Sequence, residues 1–304
     1  MSTPTLTNAQ QVGNFVQSDH NKPYPAIDPK NTKLPEDFVV CIIGGGGAAG
    51  TGLARSFAHA GASGIIIAAR TQSSLDATTK EVNGINTSVK VVAVSCDITS
   101  NDDVAALATI INNEFSGRLN AVFVNCGYSG PLSKATVLEE DPKDVKKAFD
   151  VHCMGTWYAA HHLVPFLLES KGSFIAVSSI ATLRVTGFGT TPHYCASKIA
   201  QARLIEMLHA QYAEQGLFVA SVHPGGMQSA FARAASPDIQ HLLNDSPDLL
   251  GSFSVWLIKE EGLEVRRKAL NGRWLSCKWD VEELEKKFES IQRLDLLKFR
   301  IAVE

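Results

Sequence analysis

Tyr194 and Lys198 stand four residues apart in the stretch TTPHYCASKIA, residues 190–200. On a helix that spacing puts both side chains on one face, so a phenol and an ammonium would lie side by side. A free phenol, with a pKa near 10, is a poor acid or base at neutral pH, but a neighbouring positive charge favours its ionised form and makes the pair a proton donor and acceptor. The plainer alternative is two residues in the first turns of a well-formed helix. With 5 Tyr and 17 Lys in 304 residues, about 0.3 such spacings are expected by chance. Context has to decide between the two readings.

A second constellation is the run GGGGAAGTGLARSFAHAG, residues 44–61, which follows an apolar segment. Glycines are needed where backbone approaches a pyrophosphate, and a helix starting there offers free N–H groups and a positive dipole end to phosphate oxygens. The run reads in two registers, Gly45-x-Gly47-x-x-Gly50 or Gly46-x-x-x-Gly50-x-Gly52, and a tight strand-to-helix turn without a ligand is the plain alternative. About twenty residues on, where a carboxylate would receive a ribose 2′-hydroxyl, the chain reads Ala69-Arg70-Thr71. A cation there suits a 2′-phosphate. Arg70 therefore favours NADP(H) over NAD(H), against the alternative of a solvated surface arginine.

These groups need elements to position them. From Phe38 onward, short runs rich in branched residues alternate with longer helical patterns: 38–43, 64–69, 89–94, 120–125, 172–178 and 217–222. That alternation predicts βαβ units and a mostly parallel, doubly wound sheet with helices on both faces, in one domain spanning 38–304. Ser100 caps a helix with Val104, Leu107, Ile111 and Phe115 at helical spacing. Longer helices are expected from Asp144 to Leu168 and from Tyr194 to Gln215. Residues 1–37, polar and carrying Pro23, Pro25, Pro29 and Pro35, read as an irregular extension laid over the surface or partly mobile.

Composition narrows the function. The chain is 45% hydrophobic with a formal charge of −3, which excludes a dominant basic surface for nucleic acid. Six dispersed cysteines without a C-x-x-C pair, and no His at ligand spacing, fit reduced thiols without disulfides or zinc. The start MSTPTLTNAQQVGNF lacks the basic and apolar regions of a secretory signal, and no stretch of about 18 apolar residues could span a membrane. A soluble, cytoplasmic protein is expected.

Taken together, residues 38–280 resemble the short-chain dehydrogenase/reductase family. The motifs that carry the resemblance are Gly45 followed by Gly46, Gly50 and Gly52, then CDIT, Asn125-Cys126-Gly127, Tyr194-x-x-x-Lys198 and the segment His223-Pro224-Gly225-Gly226-Met227-Gln228-Ser229. The resemblance implies a Rossmann-type domain with a cofactor set of Gly46, Gly50, Thr51, Gly52, Arg70, Asp97, Asn125 and Gly127. Tyr194, Lys198, Pro224, Gly225, Met227 and Ser229 complete it. It also implies that Tyr194 exchanges a proton with the substrate oxygen as hydride moves, that Lys198 supports it and holds the nicotinamide ribose, and that Ser179 hydrogen-bonds the substrate oxygen, with Ser178 as the alternative. His152 occupies the place of the family's relay Asn, where a histidine could join the relay or be a buried, backbone-bonded ring. The family's helices from Asp144 and Tyr194 pair between subunits, implying a homodimer or homotetramer.

The implied activity is hydride transfer between NADP(H) and a carbonyl or alcohol of a small molecule, in the reductive direction. Two alternatives stay open: a nucleotide-binding sensor or scaffold without turnover, and an imine reductase or cyclase on the same scaffold. Tyr128, Phe188, His193, Met227 and Phe231 are candidates for the substrate pocket, and the polar stretch 230–250, within about 226–250, for a lid. Cys195 reads as packing, and His161 and His162 as ordinary helix residues. The C-terminal segment starts a charged helix at Lys278-Trp279-Asp280-Val281, a pattern associated with a branch that includes fungal enzymes of secondary metabolism.

Overall fold

The computed structural model describes residues 8–130, 136–186, 191–233, 241 and 243–301. Seven strands form one sheet: β1 (Val39–Ile43), β2 (Gly64–Ala69), β3 (Lys90–Ser95), β4 (Ala121–Val124), β5 (Ser173–Val177), β6 (Phe218–His223) and β7 (Arg273–Ser276). Their order is β3-β2-β1-β4-β5-β6-β7, with every pairing parallel. β1 lies between β2 and β4, in register at Ile43 with Ala68 and with Val124. The winding reverses at β1, so the carboxyl ends of β1 and β4 open a crevice there.

The strands alternate their side chains between two packed layers, as a period of two requires. Val40 and Ile42 join Phe57, Ile65 and Phe253 in one buried layer. Val39, Cys41 and Ile43 join Leu107, Ile111 and Leu163 in the other. The first layer is covered by α2 (Ala48–His59), following a short α1 (Asn8–Gly13), by α3 (Gln72–Ile85) and by the later α9 (Pro247–Ile258); α4 (Asn101–Phe115) covers the second. The predicted Ser100 cap is present, accepting the Asp103 N–H.

The long helix expected from Asp144 is divided. It runs as α5 (Pro142–Phe149), a π turn over Asp150–Met154, and α6 (Gly155–Ser170). One residue more per turn shifts the faces on either side, and such turns recur at functional sites. Here the π turn buries Val151 and His152. The next helix, α7 (Pro192–Tyr212), carries the Tyr-Lys pair and ends in a 3₁₀ turn at Ala213–Gln215.

Several expectations change. The strand β7, with Arg at its start and only four residues, escaped the pattern of apolar runs. The irregular stretch 230–250 contains a short α8 (Ala230–Arg233) and, from Pro247, the buried helix α9, in which Leu249 and Leu250 are core residues. Phe188 and lid residues 234–240 and 242 lie outside the described residues. After α10 (Leu263–Leu270), the C-terminal helix is two short pieces, α11 (Val281–Glu285) and α12 (Phe288–Arg293). The N-terminal segment is partly core: Val16, Ile27 and Leu34 are buried, and the Gln17 and Ser18 N–H groups donate to the Glu283 carboxylate.

Candidate active site

The crevice at the switch point deepens into a cleft of about 930 Å³. One wall is the glycine loop. A Cβ on Gly50 would lie 2.2 Å from the Gly44 carbonyl oxygen, and one on Gly52 2.0 Å from that of Pro247. These two glycines are therefore required by the close approach of backbone to backbone, and neither lines the cleft. Thr51 is turned away as well, its hydroxyl 2.9 Å from that of Thr78. Of the predicted loop set only Gly46 faces the cleft, joined by Gly44, Gly47, Ala48 and Ala49. Gly47 is the N-cap of α2, so the first N–H groups of that helix open on the cleft.

Asn125 braces this loop, its Nδ2 donating to the Gly44 carbonyl at 3.0 Å. Asp97 lines the cleft with one carboxylate oxygen held by Thr99. Arg70 is exposed at the end of β2, lines the cleft beside Thr71 and Ser74, and forms no ion pair with another described residue. Opposite, Pro224, Gly225, Met227 and Ser229 follow β6 into the cleft. Asp245 holds them: its carboxylate accepts the Gly226 N–H at 2.6 Å and pairs with Lys278 at 2.6 Å. No motif pointed to Asp245, because it acts from nineteen positions further along the chain.

At the carboxyl end of β5, Ser179 and Tyr194 come together as expected. Ser179 Oγ accepts the Ala181 N–H at 3.2 Å and faces the Tyr194 phenol, favouring its ionised form. Burial outweighs it and pushes the phenol up to about 12. Lys198 Nζ, one turn along the same helix, donates to the Val177 carbonyl at 2.8 Å and to Gln201 Oε1 at 3.0 Å, and desolvation brings this lysine down from 10.5 to about 7. Ser178 Oγ, buried and lining the cleft, has no hydrogen-bond partner among the described residues.

The relay expectation for His152 meets a different geometry. Its Nε2 accepts the Tyr128 N–H at 3.0 Å, so the neutral ring carries its proton on Nδ1 and donates to Ser197 Oγ at 2.8 Å. Burial, with Lys198 nearby, holds its pKa well below the usual range. Both nitrogens are committed, leaving neither for a relay. His152 thus fits the alternative of a buried, backbone-bonded ring, locking the turn after β4 onto α7.

The adjacent histidine does similar work. His193 Nδ1 lies 2.8 Å from the Glu140 carboxylate, which also accepts the His193 N–H, and Nε2 donates to the Ser129 carbonyl at 2.8 Å. Glu140, missed in the sequence, thereby caps the helix that carries Tyr194. Cys195 is half-buried near Glu140, and His162 bonds Asn101 on the surface. Tyr128, Met227 and Phe231 line the cleft, with Phe231 5.9 Å from the Tyr194 ring; His193 is buried behind it.

The arrangement suits a dinucleotide. Helix N–H groups and glycine backbone stand where a pyrophosphate needs donors, a cation stands at one end, and the Ser178 hydroxyl, without a partner among the described residues, lines the cleft with Tyr194 and Lys198. Among the described residues no group of side chains could hold a metal, and no helix is long and apolar enough to cross a membrane.

Comparison with known proteins agrees. The family model "short chain dehydrogenase" matches residues 38–240. The short chain dehydrogenase pgmD of Aspergillus terreus is 34% identical over 95% of this chain and 95% of its own. The short chain dehydrogenase citE of Monascus ruber is 30% identical over 95% of this chain and 97% of its own. Among solved structures, a short-chain type dehydrogenase/reductase from Mycobacterium marinum superposes with a TM-score of 0.70 at 20% identity, covering 83% of this chain and 97% of the other. An NAD+-bound xylitol dehydrogenase gives 0.67 at 18% identity, covering 79% and 97%. With its all-parallel sheet, its glycine-loop cleft and Ser179, Tyr194 and Lys198 around one end of it, the chain belongs to the short-chain dehydrogenase family of nicotinamide-dependent oxidoreductases, in the branch of these fungal proteins.

Proposed function

We propose that the protein reduces a carbonyl group of a small organic molecule with NADPH, by direct hydride transfer. The observation that carries this reading is the convergence of Ser179, Tyr194 and Lys198 at the end of the cleft away from Arg70. The bound nicotinamide would supply the hydride. Ser179 would hold the carbonyl oxygen and Tyr194 would donate its proton. A phenol at about 12 is fully protonated at neutral pH, which suits a donor, and the ammonium of Lys198 stabilises the phenolate left behind. Gly46, Gly47 and the first turn of α2 would hold the pyrophosphate, and Asp97 the adenine. Loss of NADPH absorbance with a panel of ketones, aldehydes and imines tests the reading; no oxidation with any of them would sink it.

The choice of NADP rests on Arg70. Among the described residues it has no carboxylate partner, and α3 begins beside it with Thr71 as an N-cap that makes no side-chain cap bond, so an anion there meets a guanidinium and a free helix end together. A charge-assisted pair of about 1.5–3 kcal/mol is roughly a 10–100-fold change in affinity. Arg70→Ala is accordingly expected to weaken NADPH binding by that factor and leave NADH binding within about twofold, as read by calorimetry. Equal losses for both nucleotides would refute the assignment.

A homodimer or homotetramer is part of the same proposal. Phe149, Met154 and Trp157 along α5, the π turn and α6, and Ile199 and Met207 on α7, are exposed apolar side chains on the helices that flank the site. Burying such a surface against a second copy would remove it from water. Light scattering is expected to give at least a dimer, and Trp157→Glu to shift it toward monomer; a wild-type monomer at micromolar concentration would contradict this. A cytoplasmic location fits the reading, with all six thiols free.

A further inference from the structure

We propose that Gln201 is a positioning residue for Lys198, providing the neutral side-chain acceptor that keeps a buried ammonium charged beside Tyr194. This rests on the proposed role of the Tyr194–Lys198 pair and goes beyond it, since neither motif nor resemblance assigned Gln201 any part.

Lys198 and Gln201 are 3% and 1% exposed. An ammonium carries donors only, so the atom of Gln201 that meets it must be the amide oxygen. The other end of the amide fixes that orientation independently: Nε2 donates to Thr156 Oγ1 of α6 at 2.8 Å, and Thr156 is wholly buried. The i,i+3 spacing puts Gln201 on the same face of α7 one turn beyond Lys198. Thr156, Gln201 and Lys198 therefore form a chain running from α6 through α7 to the end of β5, where the Val177 carbonyl takes the second ammonium proton.

The alternatives around the ammonium are few. The titratable groups whose charges reach it are Cys126 from the turn after β4 and Cys153 and His152 from the π turn, with Tyr194 one turn earlier on its own helix. Burial pushes Cys126 up to about 12 and Cys153 to about 11, and lowers His152, so all three are neutral. No carboxylate among the described residues neutralises the charge. His152, in the place of the family's Asn, has spent both nitrogens elsewhere. Among the described residues, Gln201 is the one side chain that hydrogen-bonds Lys198. Being neutral, it steadies the ammonium without cancelling the charge that a phenolate needs; a carboxylate would cancel it.

Two readouts test this, one free of nucleotide and substrate. In the cofactor-free protein, the pH dependence of Lys198 acylation, followed by mass spectrometry, reports its titration. Its midpoint is expected to fall by about one pH unit in Gln201→Leu and to rise by at least as much in Gln201→Glu, because a hydrogen bond to the charged form is lost in one and a negative charge gained in the other. In turnover, the alkaline limb of kcat/KM is expected to move in the same directions, with KM for the carbonyl within about twofold and kcat of Gln201→Leu about tenfold lower at pH 8. Thr156→Val, which frees the amide, should shift both readouts in the direction of Gln201→Leu but less.

Unchanged midpoints in Gln201→Leu and Gln201→Glu would overturn the proposal, as would a lower melting temperature with no movement of either readout. If Gln201→Leu does not fold, Gln201→Glu and Thr156→Val decide alone. Failure of the underlying reading is separable: the midpoints would shift, yet Tyr194→Phe would leave turnover intact.

Discussion

Tyr194→Phe is expected to lower kcat/KM for carbonyl reduction about 10³-fold, the middle of the range for loss of a positioned acid–base group. The phenol is the acidic hydroxyl that faces Ser179 at the end of the cleft, and Ser179 accepts the Ala181 N–H while its own O–H stays available to the carbonyl oxygen. Loss of the hydroxyl leaves the ring where it is, since its contacts are with the rings of His152 at 5.4 Å and Phe231 at 5.9 Å. The melting temperature should therefore change by no more than a degree or two, and NADPH should still bind, because Arg70 and the glycine loop are untouched. Turnover within a few-fold of wild type would show that the proton comes from elsewhere. An unfolded variant would contradict the packing just described.

Lys198→Met should separate activity from stability. The charged form of this lysine is disfavoured by burial, and a fall from 10.5 to about 7 corresponds to roughly 5 kcal/mol. For a base with a depressed native pKa, the unfolded chain binds the extra proton. The penalty is thus fully present below about 7 and relieved as pH rises toward 10.5. Methionine fills similar space without a charge to desolvate, although it leaves the Val177 carbonyl and the Gln201 amide oxygen without their donor. At pH 7 the variant should be at least as stable as wild type, and the difference should shrink as pH rises toward 10. Activity should fall about 10²–10³-fold, the scale of a lost preorganised charge. Denaturant melts at pH 7 and 9.5 with parallel kinetics read both; a variant that is active, or less stable at pH 7 than at 9.5 relative to wild type, would contradict the account.

Such a buried and costly lysine is the kind of local conflict that marks functional sites. Its spacing was legible in the sequence because the helix itself enforces it, four residues being about one turn wherever the helix lies, but only the surrounding motifs gave the pair its meaning. The six apolar runs read as strands correspond to β1 to β6, since a strand covered on both faces needs continuous branched side chains. β7 was invisible by the same logic, with Arg273 in a four-residue strand whose guanidinium is drawn to backbone carbonyls and Asp295.

By itself, the sequence determined the order of β and α units, the place of the glycine turn, the Tyr-Lys face of α7, and the family. All are local patterns within a few turns or one βαβ unit. Only the tertiary structure decided which glycines face the cleft and which permit close packing, for that depends on the Pro247 carbonyl lying against Gly52 across 195 residues. The same holds for the bracing by Asp245 and Glu140 and for the hydrogen bonds that His152 and Gln201 make. Hydrogen-bond partners of buried polar groups are chosen by which elements meet in space, and a π turn or a helix contact changes them without changing the motif.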